Sequence, residues 1–444
     1  MPVQQLSPWT MAWFGAAAAF LLLSLALGLT GAVGPGDWAR GAGLAVVHLF
    51  TLGWLGLMML GALIQFVPVL TALPLARPVL ALPALLAAIT GTATLACGFL
   101  WLDGHDGAKS LFLTAPWLLA LAFGLAGAMI APPLVARASR GRSEVRMVLL
   151  ALTALAGLWA SGAVMVLNLT GASTPALLPE GLPLHILFGI GGWLSLAAFG
   201  VSYKLFAMFL LAPEQHNRLR QAVFLTGGLG LMLLVLTFIA LALGHTPAAP
   251  LIWLLALLPA LAVGLYLAEA ARIWRQRRRP QPEPNMRWSR VALAFLAAAA
   301  LMAIPALSQG GIWVEPAIFA ALTGWLSLLT LAQMIKITSF LTWMQVFAPR
   351  IGRGPVPMVH ELTDPRAAGR WLALWAAGAA GGSLALLLVQ PFAFRLALAV
   401  LLLAAVGLVR EMLAIRRLSH LTPALRPDPL PPLVFPAPHA EIRP

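Results

Sequence analysis

Cysteine and charge are what this chain has least of. One of its 444 residues is cysteine, Cys97, and only 9% are Asp, Glu, Lys or Arg. A single thiol excludes an internal disulfide, a CxxC motif and a cysteine-ligated iron–sulfur cluster. Within an apolar run it reads as a small core residue. With 61% apolar residues, the chain cannot cover a water-soluble domain with polar groups. Acids are scarcer than bases, 14 against 28 Lys plus Arg. That scarcity argues against a cation-coupled carrier, which holds carboxylates in the middle of the membrane.

What the chain does have is a succession of apolar runs of about 20 residues, the length of a membrane-spanning helix. Twelve are predicted, at roughly 10–32, 42–70, 78–101, 110–135, 146–170, 183–212, 221–244, 249–271, 289–307, 313–345, 369–389 and 392–414. The first has neither a basic lead nor a cleavage site, so it reads as a retained helix rather than a signal peptide. The expected organisation is one membrane domain, 1–421, built from three parallel four-helix repeats at about 10–136, 145–272 and 288–414. A proline-rich, partly disordered cytoplasmic tail, 422–444, is expected to follow.

The net charge of +14 is distributed by side. Arg137, Arg140, Arg142 and Arg146 follow span four, and Arg218 and Arg220 follow span six. Arg272, Arg275, Arg277, Arg278, Arg279, Arg287 and Arg290 surround the eight-to-nine junction. Further arginines follow spans ten and twelve. The opposite loops carry Asp37, Asp103, Asp106, Glu180 and Glu315, with Arg40, Lys109 and Arg395 as their cations. The asymmetry predicts cytoplasmic N- and C-termini in a bacterial-type inner (plasma) membrane. The basic excess is then a topology signal and an anionic-lipid contact, not a nucleic-acid surface. The stretch 277–284, RRRPQPEP, reads as a solvated linker.

One element occurs three times. It is HLFTLGWLGLMMLGALIQFVPVL from His48, HILFGIGGWLSLAAFGVSYKLFAMF from His185, and TGWLSLLTLAQMIKITSFLTW from Thr323. The Gly-Trp pairs end in Trp54, Trp193 and Trp325. Seven residues on stand Gly61, Gly200 and Ala332, and eleven on stand Gln65, Lys204 and Lys336. Those steps are about two and three helical turns, so Trp, small and polar residue should share a face. The element falls on the second helix of each group of four, as expected for repeats related by an axis along the membrane normal.

His48 and His185 are the chief candidates for chemistry. Neutral imidazole suits a haem axial position or a metal ion. The plainer alternatives are a hydrogen bond to a neighbouring helix for His48 and a water-facing interfacial position for His185. Lys204 and Lys336 fit a proton path, an anion contact or snorkelling towards headgroups. Gln65, the third member of that set, does not titrate. Glu269 can pair with Arg272 or Arg275 at the surface. Trp54, Trp193 and Trp325 fit packing, either around a flat cofactor or as plain core. Met58 and Met59 bring thioethers, which bind haem iron or Cu(I).

The twelve spans, the threefold grouping and the histidine on span two resemble subunit I of the haem-copper oxidases, a superfamily that includes the nitric oxide reductases. HLFTLGWLGLMMLGALIQFVPVL is similar to that family's second helix, which implies a low-spin haem ligand at His48. HILFGIGGWL is similar to its sixth, which implies a copper ligand at His185. The departures are specific: span seven lacks the family's histidine pair, with His245 alone at its end, and span ten has no histidine. The resemblance is therefore to a divergent branch, similar to NnrS-type or uncharacterised subunit-I-like proteins, and not to a competent terminal oxidase. It implies haem b, copper or no cofactor. It also implies a role in electron transfer, nitric-oxide-related metabolism or respiratory support, with a respiratory or electron-transfer protein as partner. Two other classes stay open at this point, a transporter or metal-handling permease and a cofactor-free partner of a respiratory complex.

Overall fold

The computed structural model describes residues 9–139, 141–171, 180–213, 218–245 and 249–434. Arg140 and tail residues 435–444 lie outside these. Among the described residues the chain is all-helical, as the composition requires. Only helices satisfy every backbone N–H and C=O within a single apolar segment.

Eleven helical runs are long and apolar enough to cross a membrane. They are α1 Thr10–Ala32, α2 Gly41–Thr71, α3 Pro78–Asp103, α4 Asp106–Val135, α5 Ser143–Leu169 and α6 Gly181–Leu210. Then come α7 Arg218–Ala242, α8 Pro250–Arg275, α9 Pro284–Ala306, α10 Gly311–Arg350 and α12 Pro391–Arg416. The twelfth predicted span is the helix α11, Pro365–Leu387. Its Gly- and Ala-rich sequence packs closely on α12.

The threefold plan is visible in the pairing. Within each group of four the first helix packs on the second and the third on the fourth: α1 on α2 and α3 on α4, then α5 on α6 and α7 on α8, then α9 on α10 and α11 on α12. The three second helices, α2, α6 and α10, also touch one another and form the centre of the bundle.

The glycine of each Gly-Trp pair explains the intimacy of the first contact. A Cβ at Gly53 would lie 2.6 Å from Phe20 of α1, at Gly192 2.6 Å from Ala154 of α5, and at Gly324 2.2 Å from Phe295 of α9. Only glycine admits these approaches, the means by which membrane helices associate where no hydrophobic drive separates them.

The sequence gives no sign of a second shared property. Each element passes through a π-helical segment at the Gly-Trp pair, Leu49–Gly56, Leu187–Ser195 and Ala320–Ser327. Wider turns of this kind shift the register of side chains on either side. The common face expected for Trp, small and polar residue is accordingly split in α2. Gly61 abuts Trp13 and Gln65 accepts a hydrogen bond from Thr10, both on α1, whereas Trp54 turns to α10.

The basic end of the bundle is closed by polar contacts. Arg220 of α7 pairs with Glu144 of α5 at 2.9 Å and Glu269 of α8 at 2.8 Å. Glu269 also holds Arg272. Glu269 is fully buried rather than in the expected surface pair, because α7 brings Arg220 over it. The 277–284 stretch is likewise more than a solvated linker. The Arg278 and Arg279 backbone N–H groups cap the end of α6 at Leu210 O, while Glu283 binds Arg279 and Lys336. Burial would raise the Glu283 carboxyl, but the Lys336 and Arg279 cations hold it below its ordinary value. The described part of the tail is tied down, Arg416 donating to the Pro432 and Leu433 carbonyls.

Candidate functional site

The inner helices meet one another through their tryptophans. The Trp54 indole N–H of α2 donates to Ser327 Oγ of α10 at 2.9 Å. The Trp325 N–H of α10 donates to Ser195 Oγ of α6 at 3.3 Å. In both cases the acceptor stands two residues after the next repeat's tryptophan. The third contact of the cycle would run from Trp193 of α6 to the residue two past Trp54, which is Gly56. Glycine has no hydroxyl, so this joint lacks the bond. Trp193 lines a cavity instead.

That cavity, about 620 Å³, opens on the α2–α6 side of the bundle. His48 and Thr51 of α2, His185 and Trp193 of α6, Phe99 of α3 and Trp159 of α5 are among its walls. The structure thus brings together both sequence-predicted imidazoles. Their ring centroids stand 6.3 Å apart with planes inclined at 33°. His48 also lies against Phe99, at 4.6 Å between centroids. His48 and His185 sit at different places in their elements, six and eight residues before the tryptophan, and only the crossing of α2 and α6 makes them neighbours.

Each imidazole is held by its Nδ1. His48 Nδ1 lies 2.8 Å from Leu44 O, a carbonyl that can only accept. His185 Nδ1 lies 3.0 Å from Ser161 Oγ, whose own hydrogen goes to Leu158 O at 3.0 Å. His48 Nδ1 therefore carries the hydrogen and donates, which leaves its Nε2 lone pair for a ligand; His185 Nδ1 does the same with the Ser161 hydroxyl turned to Leu158 O. This is the outer-sphere arrangement that orients a metal-binding histidine. Ser161 was missed in the sequence because nothing local distinguishes it from other helical serines. Ser195 and Ser327 had a signal, the GWLS, GWLS and GWLG variants of the repeated tetrapeptide.

The other candidates fall elsewhere. Trp54 and Trp325 are core joints rather than cavity walls. Lys336 reaches the Glu283 carboxylate and lies over the Phe209 ring at the basic end. Lys204 and Gln65 occupy the same level of α6 and α2, away from the histidine cavity. Among the described residues no three of His, Cys, Asp and Glu converge as a metal cluster.

Helices in three parallel groups of four, with the second of each group at the centre, define the subunit I architecture of the haem-copper oxidases. A cryo-EM structure of a heme-copper terminal oxidase dimer is similar to this chain with a TM-score of 0.66, over 96% of this chain and 85% of that one. Identity is 12%, so the likeness establishes the fold. Neither a protein-family model nor a curated protein matches the sequence.

Proposed function

We propose that this is a haem- or copper-binding membrane protein of the subunit I fold that serves electron transfer, nitric-oxide-related chemistry or respiratory support. The observation that carries the reading is the pairing of His48 and His185 in one cavity, each ring anchored through its Nδ1. The residues fit the group. A metal–imidazole bond of about 2.0–2.1 Å on each side, added to the two ring radii, spans a separation of this order. The cavity lies within the range of about 300–1,000 Å³ usual for cofactor sites. The site would hold one metal centre through the two imidazoles, and a bound haem or copper would supply one-electron exchange.

This chain's own part is orientation and an apolar surround. Leu44 O and Ser161 Oγ hold the Nδ1 side of each ring, and Phe99, Phe112 and Trp159 give the cavity an apolar wall. The reading stops short of a terminal oxidase because α7 and α10 contribute no further imidazole. In this reading the protein sits in a bacterial-type inner membrane beside a respiratory or electron-transfer partner. Absorption spectroscopy and metal analysis of protein purified from cells that make haem and take up copper test it. We expect a Soret band or stoichiometric copper that is lost in His48→Ala. Protein free of both would overturn the reading.

A further inference from the structure

A second, smaller cavity of about 70 Å³ lies between α1, α2, α6 and α10. Met58, some ten residues along α2 from His48, places it about 15 Å further towards the basic end. Its chemistry differs from that of the histidine cavity. Its lining holds no His, Cys, Asp, Glu, Lys or Arg, but it holds the methionines Met58, Met59 and Met334. Met58 and Met334 are buried.

Two features make the three thioethers the available donors. The first is direction. Consecutive residues on a helix leave it about 100° apart, so Met58 and Met59 can both wall one cavity only if it lies between their two directions. Met334 closes the same space from α10. The second is that most polar neighbours are spent. The Ser202 hydroxyl is bound to Tyr266 Oη at 2.7 Å and Phe199 O at 3.0 Å. Gln333 is engaged by Ser289 and Asn285 of α9 at 2.8 and 3.2 Å. Of the other polar side chains only the Thr330 hydroxyl remains.

From this placement we infer that the inner cavity is a soft-metal site in which Met58, Met59 and Met334 bind Cu(I). Neutral thioethers without a carboxylate or imidazole have little hold on Zn²⁺, Mg²⁺ or Ca²⁺, whereas soft sulfur selects Cu(I). Methionine's flexible stem lets three sulfurs converge without a rigid frame. The inference does not depend on the histidine reading, because the two sites share no lining residue.

The test is an anaerobic Cu(I) titration of the detergent-purified full chain against a chromogenic Cu(I) chelator, with Ag(I) as a redox-silent probe. Four proteins are compared. They are the wild type, the double variant His48→Ala/His185→Ala, the triple variant Met58→Leu/Met59→Leu/Met334→Leu, and Met334→Cys. Met→Leu conserves volume, so loss of fold is not expected, and Met334→Cys returns a soft ligand. We expect one Cu(I) equivalent to survive in the histidine double variant, with sulfur in its first shell by X-ray absorption. We expect the triple variant, which keeps none of the sulfur donors, to lose this equivalent, and Met334→Cys to retain it. Unchanged retention in the triple variant, or a first shell of nitrogen and oxygen alone, overturns the proposal. If instead the histidine equivalent is absent and the thioether equivalent is present, only the haem- or copper-binding reading of the outer cavity fails.

Discussion

The three inner helices carry one element each, yet their three mutual joints differ. The α2–α10 and α10–α6 joints are closed by a buried indole-to-hydroxyl bond, at 2.9 and 3.3 Å. At the α6–α2 joint glycine replaces serine, and both candidate ligand histidines line the large cavity on that side. A repeat architecture that would be self-complementary with three identical copies acquires a cavity where one copy departs. Towards the basic end the cavity between the helices is far smaller, about 70 Å³. Thr10 with Gln65, Arg220 with Glu144 and Glu269, Gln333 with Ser289, and Arg416 with Thr342 tie helix to helix among the described residues. The open joint thus lies against a clamped end.

The largest expected effect comes from breaking the clamped end. Arg220→Ala leaves the buried Glu269 without one of its two cations and takes the Arg220 guanidinium from Glu144, at a cost of about 3–5 kcal/mol. Thermal unfolding in detergent should show a clear fall, while ligand binding at the far end, once folded protein is selected, should stay near wild type. Next is a closed joint. Ser327→Ala strands the Trp54 indole N–H in the core and should cost about 1–3 kcal/mol. Ser195→Ala, whose bond is longer, should cost less by the same measurement.

The opposite change sharpens the contrast. Gly56→Ser supplies the missing hydroxyl, and a Cβ there meets nothing nearer than Thr51 O at 3.4 Å. It should stabilise the bundle by about 0.5–1.5 kcal/mol. It should also weaken whatever the outer cavity binds, since Trp193 is drawn towards α2. A stabilised variant with undiminished binding would separate the open joint from the site.

The smallest effect lies away from the joints, at the N-cap of α11. Asp364 accepts from the Ala367 and Arg366 N–H groups, bonds that hold its carboxyl below its ordinary value. A carboxyl depressed in the folded state contributes fully above the unfolded value near pH 4. The contribution disappears as pH falls through the folded value. Because this cap is only partly buried, Asp364→Ala should cost only about 0.5 kcal/mol. That difference should vanish in melts run at acid pH.

How much of this was legible depends on the range of the interaction that sets it. The twelve spans are written in local composition, and their predicted limits lie within a few residues of the observed helices. The Gly-Trp element marks the three inner helices because close approach to α1, α5 and α9 demands glycine at one fixed place. The π-helical segments are not legible, since Leu49–Gly56 contains no residue that forces a wider turn. The nearness of His48 and His185 is likewise invisible. It follows from the crossing of two helices, and their unequal spacing from Trp54 and Trp193 argues, if anything, against it. Arg220 read as one more topology-setting charge, and only α5 and α8 packed beside α7 reveal it as a buried tie.

The account's central claim is that the α2–α6 joint is open in order to hold a metal centre between two imidazoles. The most direct measurement is a count of imidazole nitrogens on the bound metal. It would use X-ray absorption or electron spin echo of the purified protein, compared with His48→Ala and His185→Ala. The account predicts two imidazoles on one centre in the wild type and one in each variant. A bound metal whose ligand set is the same in all three proteins would contradict it.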